Sequence, residues 1–334
     1  MGIRRAVLVF LITVQVTLSH FSASAQAGER INLIYPSISG LVLGLWTTQE
    51  ARLFDKHGLE VNLIYIQSAS AVMQAMYGGE APVALGGGKP VVDSGLEGGD
   101  AVFVGGIGVV PAFYIMAAPE IQSVQDLKGR PVGVTRFGSS SDFTMRLVLK
   151  KYGLEPGREV PVIQIGGGMQ GMAAALSKRA IYAAPFSPPT NLEVEKGGGK
   201  LLVDMGKAGI SFPHVSIITT RSYLKKNRAS VLAVLKAYSE GVKRMFSDKF
   251  IALNVLRKYI RSNDPEVLEA TYKFALDYTV RIPYPTREGI LEILRDSKNP
   301  RAKGAKPEDF IDDSLVKELD QGGLYRELYG KGGR

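Results

Sequence analysis

An α/β fold built on parallel, doubly wound sheets is predicted for this chain of 334 residues by three observations. Short apolar segments alternate with helical patterns from residue 31 onward, as expected of strands joined by crossover helices. Serine- and glycine-rich turns follow the apolar segments, and glycines follow several helical ones, where a left-handed residue ends a helix. The composition, 45% hydrophobic and 22% charged, suits a globular protein with a sizeable core and one to three domains.

Two similar sets of strands organise the chain. The first set comprises residues 31–35, 59–66, 82–85 and 101–104. The second set comprises residues 132–135, 160–165, 181–184 and 201–204. Two more apolar segments are interpreted as strands that cross between the sets, at residues 113–117 and 215–220. Beyond them the pattern is helical, with segments near residues 231–245, 248–260, 265–276, 286–295 and 307–320.

The first 27 residues have the order of a secretory signal. Arg4 and Arg5 form the basic part, residues 6–18 the apolar part, and small residues follow. We expect cleavage after Ala25 or Ala27 and export of the mature protein to the periplasm. The apolar part is short for a membrane span, and no later run approaches 18 apolar residues.

Charge and residue usage argue against several function classes. Removal of Arg4 and Arg5 lowers the formal charge from +9 to +7, and the basic residues form no long run, so nucleic acid is not an expected partner. Cysteine is absent, and His20, His57 and His214 lack metal-ligand spacing. No Gly-x-Ser-x-Gly turn or Walker A loop is present, so we expect neither an enzyme nor a cofactor.

Four segments carry a family resemblance. Residues 52–61 (RLFDKHGLEV) follow the first helix, residues 78–84 (GGEAPVA) follow the second, and residues 126–134 (DLKGRPVGV) precede a Gly138-Ser139 turn. In this order they resemble the substrate-binding proteins of bacterial ABC importers of the sulfonate, taurine and nitrate type. That group is similar to the SsuA/THI5-like and NMT1-like proteins. The resemblance covers about residues 31–297.

The resemblance implies a type II periplasmic-binding-protein fold, a form of α/β architecture. One lobe would comprise residues 28–112 plus 218–334 and the other residues 113–217, joined by two hinge strands. It also implies a monomeric, non-catalytic receptor that delivers a small-molecule solute to an inner-membrane ABC permease with its ATPase. A thiamine-pyrimidine-related enzyme and a ligand-sensing protein on the same fold are the alternatives. The pyrimidine-forming relatives carry a cysteine-rich motif, which this chain lacks.

The ligand site is predicted at the turns that follow the strands, because ligands of open α/β sheets bind outside the carboxyl ends of strands. Serine and glycine recur in those turns, supplying short donors and close backbone approach, although turns favour these residues in any case. The candidate residues are Ser37, Ser39, Ser68, Ser70, Gly87, Arg136, Gly138, Ser139, Ser140, Gly167 and Ser187.

The turn at residues 136–141, which precedes a predicted helix, is the strongest candidate. Free N–H groups and serine hydroxyls at a helix start favour an anion, but a helix cap alone also explains a serine. The Arg136 guanidinium could bind a carboxylate or sulfonate group, or it could lie in solvent at the rim of the site. Phe137, Phe186 and Phe212 hint at an organic ligand, with core packing as the alternative. We therefore predict a small ligand with an anionic or strongly polar acceptor group.

Overall fold

A computed structural model of the protein describes residues 28–330. The predicted signal and its cleavage sites lie outside these residues. The strands of the described chain are β1 (Glu29–Tyr35), β2 (Leu59–Tyr65), β3 (Val83–Gly86), β4 (Ala101–Gly108), β5 (Tyr114–Ala117), β6 (Val132–Val134), β7 (Val162–Gln164), β8 (Ala183–Phe186), β9 (Lys200–Asp204) and β10 (Val215–Thr220).

Helices alternate with these strands and then follow them. They are α1 (Leu43–Glu50), α2 (Leu53–Lys56), α3 (Ala69–Tyr77), α4 (Gly88–Leu96), α5 (Ser140–Lys151), α6 (Gly168–Ser177), α7 (Thr190–Lys196), α8 (Arg221–Lys226), α9 (Arg228–Ser247), α10 (Lys249–Ile260), α11 (Pro265–Tyr278), α12 (Arg287–Asp296), α13 (Ser314–Gln321) and α14 (Leu324–Tyr329). Short 3₁₀ turns connect some of them, at Gly40–Val42, Val124–Leu127, Met205–Lys207, Pro300–Lys303 and Pro307–Asp309.

The strands form two five-stranded sheets, so the predicted α/β fold with two strand sets is confirmed. The first sheet has the order β2-β1-β3-β10-β4 and the second β7-β6-β8-β5-β9. In each sheet the strand that enters from the other half of the chain, β10 or β5, runs antiparallel to both neighbours. The remaining pairs are parallel, with helices as crossovers.

The helical C-terminal part packs on the first sheet. Helix α9 carries the predicted apolar stripe, and Val231, Leu235, Tyr238 and Val242 on it are all buried. They join one core with residues of β1, β3 and β4, while α12 joins a second core on the opposite face. We call the first sheet with α1–α4 and α8–α14 the first lobe, and the second sheet with α5–α7 the second lobe.

Two predictions of local structure were wrong. The first helix, which the sequence pattern predicts to run to about His57 and to end at Gly58, is interrupted at Arg52, whose φ of 54° is left-handed. Strand β4 continues to Gly108 although glycine usually weakens a strand. Its glycines admit neighbours closely, because a Cβ on Gly106 would lie 2.4 Å from the carbonyl oxygen of Tyr284.

The sheets also bear on the predicted boundary between the lobes. Residues 215–217 were assigned to the second lobe, but β10 begins at Val215 and pairs with β3 and β4 of the first sheet. The physical reason is that a strand belongs with the sheet that satisfies its backbone hydrogen bonds. We therefore propose the division with residues 215–217 moved to the first lobe and residues 109–113 and 205–214 as the connections.

Candidate ligand-binding site

A cavity of about 50 Å³ lies between the two lobes, at the carboxyl ends of their parallel strands. This volume holds only a few water-sized molecules, so it suits a small ligand or one end of a larger one. Its lining residues are Pro36, Ser37, Ile38, Tyr65, Ser68, Ala69, Phe113, Thr135, Ser139, Ser140, Ser141, Gly168, Met169, Gln170, His214 and Val215. None of these side chains carries a formal charge at neutral pH, because His214 is neutral there.

The serine turn before α5 forms one wall of the cavity. Ser139 is the N-cap, and its Oγ accepts a hydrogen bond from the Asp142 N–H at 3.4 Å. Its hydroxyl lies 2.9 Å from that of Ser141 and 3.3 Å from that of Thr135, and the Thr135 and Ser141 hydroxyls are 2.9 Å apart. Three hydroxyls thus form a closed triangle beside the cavity.

Asp142 holds this turn in shape from behind. One carboxylate oxygen accepts the N–H of Gly138 at 2.9 Å, and the other accepts Arg146 Nε at 2.7 Å. Gly138 has a φ of 74°, a left-handed conformation that favours glycine. Since its N–H already has a partner inside the lobe, Gly138 shapes the turn and does not line the cavity.

Helix α3 supplies the opposite wall with Ser68 at its N-cap. Ser68 has a φ of 83°, which is strained for any residue other than glycine. It is buried, and its hydroxyl lies 3.1 Å from that of Ser70. Such strained residues persist where the surrounding structure fixes them, and they cluster at binding sites.

Helix α6 supplies the third wall. Gly168, with a φ of 65°, lines the cavity, whereas the predicted Gly167 is the N-cap one residue before it. A Cβ on Gly168 would lie 3.4 Å from Gln67 Cδ and 3.5 Å from the Tyr65 hydroxyl, both in the first lobe. These are ordinary contact distances, so the left-handed φ, and not a lack of space between the lobes, is what favours glycine at this position.

Three helix N-termini, those of α3, α5 and α6, consequently meet at the cavity. First-turn N–H groups lack helical partners, and the helix dipole places partial positive charge at each terminus. Together with the hydroxyls, they create a donor-rich site with no cationic side chain on its wall.

Five other candidates, Ser39, Ser70, Gly87, Arg136 and Ser187, lie outside the cavity wall. The Ser187 hydroxyl donates to that of Ser39 at 2.9 Å, which joins the lobes directly. A Cβ on Gly87 would lie 2.3 Å from Ser140 Oγ, so Gly87 also serves close contact between the lobes. Arg136 is half-buried and absent from the lining. The structure thus brings Ser37, Ser68, Ser139 and Ser140 together on the wall.

Two of the three aromatic candidates follow their core-packing alternative, and the third does not. Phe186 and Phe212 are fully buried in hydrophobic cores, and Phe137 is 52% exposed outside the cavity wall. The sequence reasoning missed Tyr65 and Thr135 as lining residues. Tyr65 ends β2 and Thr135 follows β6 directly, so the same rule of strand ends could have selected both.

His214 lines the cavity as a neutral side chain. Its Nδ1 accepts the Ala112 N–H at 2.8 Å, and its ring packs against Phe113 with centroids 4.3 Å apart. Burial lowers the pKa of His214 from 6.5 to about 4, opposed by a hydrogen bond with the Val110 backbone. The imidazole is therefore uncharged near neutral pH and engaged with the backbone, so its role in this structure is to hold the connection next to β10.

The depressed pKa predicts acid sensitivity. The unfolded chain takes up a proton on this histidine as pH falls through 6.5, whereas the folded protein does so only near pH 4. The free energy of unfolding is therefore undiminished by this group above pH 6.5 and falls by about 3 kcal/mol between pH 6.5 and 4. Urea unfolding across this range should show a steeper loss for the native protein than for His214→Asn, which keeps an acceptor for Ala112. Parallel pH profiles would contradict the assignment.

The comparison with known proteins now identifies the family. The sequence pattern of the family described as NMT1/THI5 like matches residues 42–249. The chain belongs to this family. A relative named "Putative binding protein YtlA", from Bacillus subtilis (strain 168), is 21% identical over 233 residues, which cover 68% of this chain and 70% of YtlA.

Solved structures show the fold of this NMT1/THI5-like protein. A protein of Bordetella bronchiseptica RB50 has a TM-score of 0.78 and 20% identity, covering 89% of this chain and 99% of its own. The alkanesulfonate-binding protein SsuA from Xanthomonas axonopodis pv. citri, bound to MOPS, has a TM-score of 0.70 and 18% identity, with 87% and 98% covered. The predicted type II periplasmic-binding-protein fold is thereby confirmed.

Two further properties concern the described residues alone. No helix within residues 28–330 is long and apolar enough to cross a membrane. In the same range, no group of three or more histidine, aspartate or glutamate side chains is arranged to hold a metal ion.

Proposed function

We propose that this protein is an extracytoplasmic solute receptor that binds a small polar or anionic molecule between its lobes. The observation that carries the proposal is the meeting of three helix N-termini and the serine hydroxyls at one cavity between two lobes. A role in solute binding also accords with the family and with SsuA, a binding protein of the same fold.

The wall favours a ligand group that accepts hydrogen bonds. Donors come from backbone N–H groups and hydroxyls, and no carboxylate lines the cavity to attract a cation. Helix termini can hold an anion without a balancing cation, so Arg136 is not required on the wall. Sulfonate, nitrate and small carboxylate groups all fit this chemistry, whereas a cationic ligand does not.

The receptor would deliver its ligand to an inner-membrane ABC permease with its ATPase, after export to the periplasm as a monomer. This proposal rests on the family and on the exported-protein pattern of the first 27 residues. A non-catalytic role is supported by the cavity chemistry. His214 Nδ1 is committed to the Ala112 N–H, so the cavity pairs no serine with an available histidine base.

A thermal-shift panel of sulfonates, nitrate, aliphatic and aromatic carboxylates, pyrimidines and cationic amines tests the proposal. A solute at about 100 times its dissociation constant should add about 2.7 kcal/mol to the free energy of unfolding, enough to raise Tm by several degrees. Anionic or acceptor-rich members should give the shift. A shift only with cationic amines would overturn the ligand class, and turnover of the bound compound would favour an enzyme.

A variant at Ser68 tests whether the solute binds in this cavity. Ser68→Gly removes a wall hydroxyl and relieves the strained positive φ, so the unliganded protein should be as stable as the native one. Its Tm increase on adding solute should nevertheless shrink, because a donor is lost. A full-size increase would show that the solute binds elsewhere.

A further inference from the structure

We propose that two ion pairs far from the cavity hold the lobes closed and make closure depend on ionic strength. Lys150 of α5 pairs with Asp296 at the end of α12, and Lys196 of α7 pairs with Asp264 at the start of α11. Among the ion pairs of residues 28–330, these two join the second lobe to the first. The inference rests on the proposed function only in that the lobes must open to admit solute.

Helices α5 and α7 of the second lobe each contact the first lobe or a connection at both of their ends. At the start of α5, Phe143 stacks on Phe212 with ring centroids 4.7 Å apart. Just before α7, the Gly40 N–H donates to the carbonyl oxygen of Pro188 at 3.4 Å. These contacts near the cavity are uncharged, and the ion pairs lie at the opposite ends of the helices.

The distance from the cavity separates closure from ligand contact. Lys150 lies ten residues after Ser140, which corresponds to about 15 Å along an α-helix. Neither lysine and neither aspartate lines the cavity. A change at these four residues therefore alters the equilibrium between open and closed lobes without removing a group that touches solute.

Three of the four charges are favoured by the helix that carries them before the lobes close, whereas Asp296 lies in the last turn of α12, where the dipole does not favour an anion. Lys150 and Lys196 lie in the last turns of α5 and α7, where the helix dipole favours a cation. Asp264 is the N-cap of α11 and accepts the Glu266 N–H at 3.0 Å, where the dipole favours an anion. The dipoles therefore favour these three charges in the open form as well as in the closed form.

The exposure of the pairs makes them sensitive to salt. Side-chain exposure is 44% and 34% for Lys150 and Asp296, and 58% and 37% for Lys196 and Asp264. Exposed pairs are individually weak and are screened over about 10 Å at 0.1 M salt. Two together should change the ratio of closed to open protein by about fivefold.

The test measures the distance between the lobes in the unliganded full chain, refolded from denaturant to remove any bound solute. The sequence contains no cysteine, so Asn62→Cys on β2 and Ile163→Cys on β7 admit one spin label in each lobe. Each of these strands is one edge of its sheet, and β10 and β5 lie next to the other edge. Pulsed electron resonance at 20 and 500 mM NaCl then reports the closed fraction.

The native protein should have a short-distance population at low salt that decreases at high salt. Lys150→Gln with Lys196→Gln should lower the closed-to-open ratio about fivefold at 20 mM NaCl and remove its salt response. The matched control, Lys151→Gln with Lys178→Gln, removes two exposed lysines that form no ion pair in the described chain and should behave as native. The charge-exchanged variant Lys150→Asp with Asp296→Lys should restore the attraction that is lost when Lys150 alone is replaced.

Identical distances in the control and in the variant lacking both interlobe lysines would overturn the proposal. A native distance distribution that does not change with salt would also overturn it, including one in which the lobes are open under every condition. Because no solute is involved, these results would leave the receptor function intact. Failure of the solute panel would in turn leave this measurement unaffected.

Discussion

Gly206→Ala is expected to weaken solute binding by about tenfold to a hundredfold although Gly206 is outside the cavity wall. A Cβ at this position would lie 2.4 Å from the Tyr278 hydroxyl and 2.5 Å from Cζ of the same ring. Gly206 lies in the connection that leaves β9 of the second lobe, and Tyr278 ends α11 of the first lobe, so the methyl group would push this connection and the first lobe apart. Overpacking of this kind costs about 1–3 kcal/mol, here in the closed form alone.

Calorimetric titration with the solute that gives the largest shift in the panel measures this loss. The double variant Gly206→Ala with Tyr278→Ala removes the ring that the methyl group strikes and should recover most of the affinity. Gly304→Ala is the control, because a Cβ there has nothing within 4 Å. Native affinity in Gly206→Ala would refute the requirement for this close contact between the lobes.

Asp142→Ala is expected to lower the free energy of unfolding by about 3 kcal/mol. Asp142 is buried, with 4% of the residue exposed. Its carboxylate accepts hydrogen bonds from the Gly138 N–H and from Arg146 Nε. Its loss leaves the half-buried Gly138 N–H and the Arg146 guanidinium, which is 32% exposed, without the buried carboxylate that both contact. The serine turn should loosen as well, so solute binding should weaken although Asp142 does not line the cavity.

Chemical unfolding and solute titration of the same variant separate the two effects. Asp93→Ala is the matched control, because Asp93 also pairs with a cation four residues away on a helix but is 35% exposed in its side chain. Its loss should cost less than about 1 kcal/mol and leave binding unchanged. Equal costs at Asp93 and Asp142 would mean that burial of the carboxylate contributes nothing.

The sequence predicted the two sheets because their strands are short, apolar and bounded by turns, a pattern that depends on local residues only. It did not predict the break at Arg52, since nothing nearby marks a left-handed residue there. The sequence did not predict that β4 continues through Gly105 and Gly106, and the reason is different. Those glycines are required by Leu235 and Tyr284, which are distant in sequence.

The rule of strand ends selected the edge of both lobes at which the cavity lies, but it could not rank the residues on that edge. Ser39 and Ser187 lie in the selected turns, yet their hydroxyls bond to each other across the lobes. Arg136 follows β6 closely but is absent from the wall. These outcomes depend on how closely the lobes approach, which is a property of tertiary structure. The residues that contact solute remain a prediction.

The triangle of Thr135, Ser139 and Ser141 has a consequence for selectivity. Its three hydroxyl protons suffice for its three internal bonds, and backbone N–H groups already occupy one lone pair each on Ser139 and Ser141. Thr135 keeps a free lone pair for an incoming donor, whereas an incoming acceptor takes a proton from one internal bond. Hydroxyl rotation alone switches between these states, so the triangle can either donate to or accept from one neutral polar group of a ligand while every heavy atom stays in place.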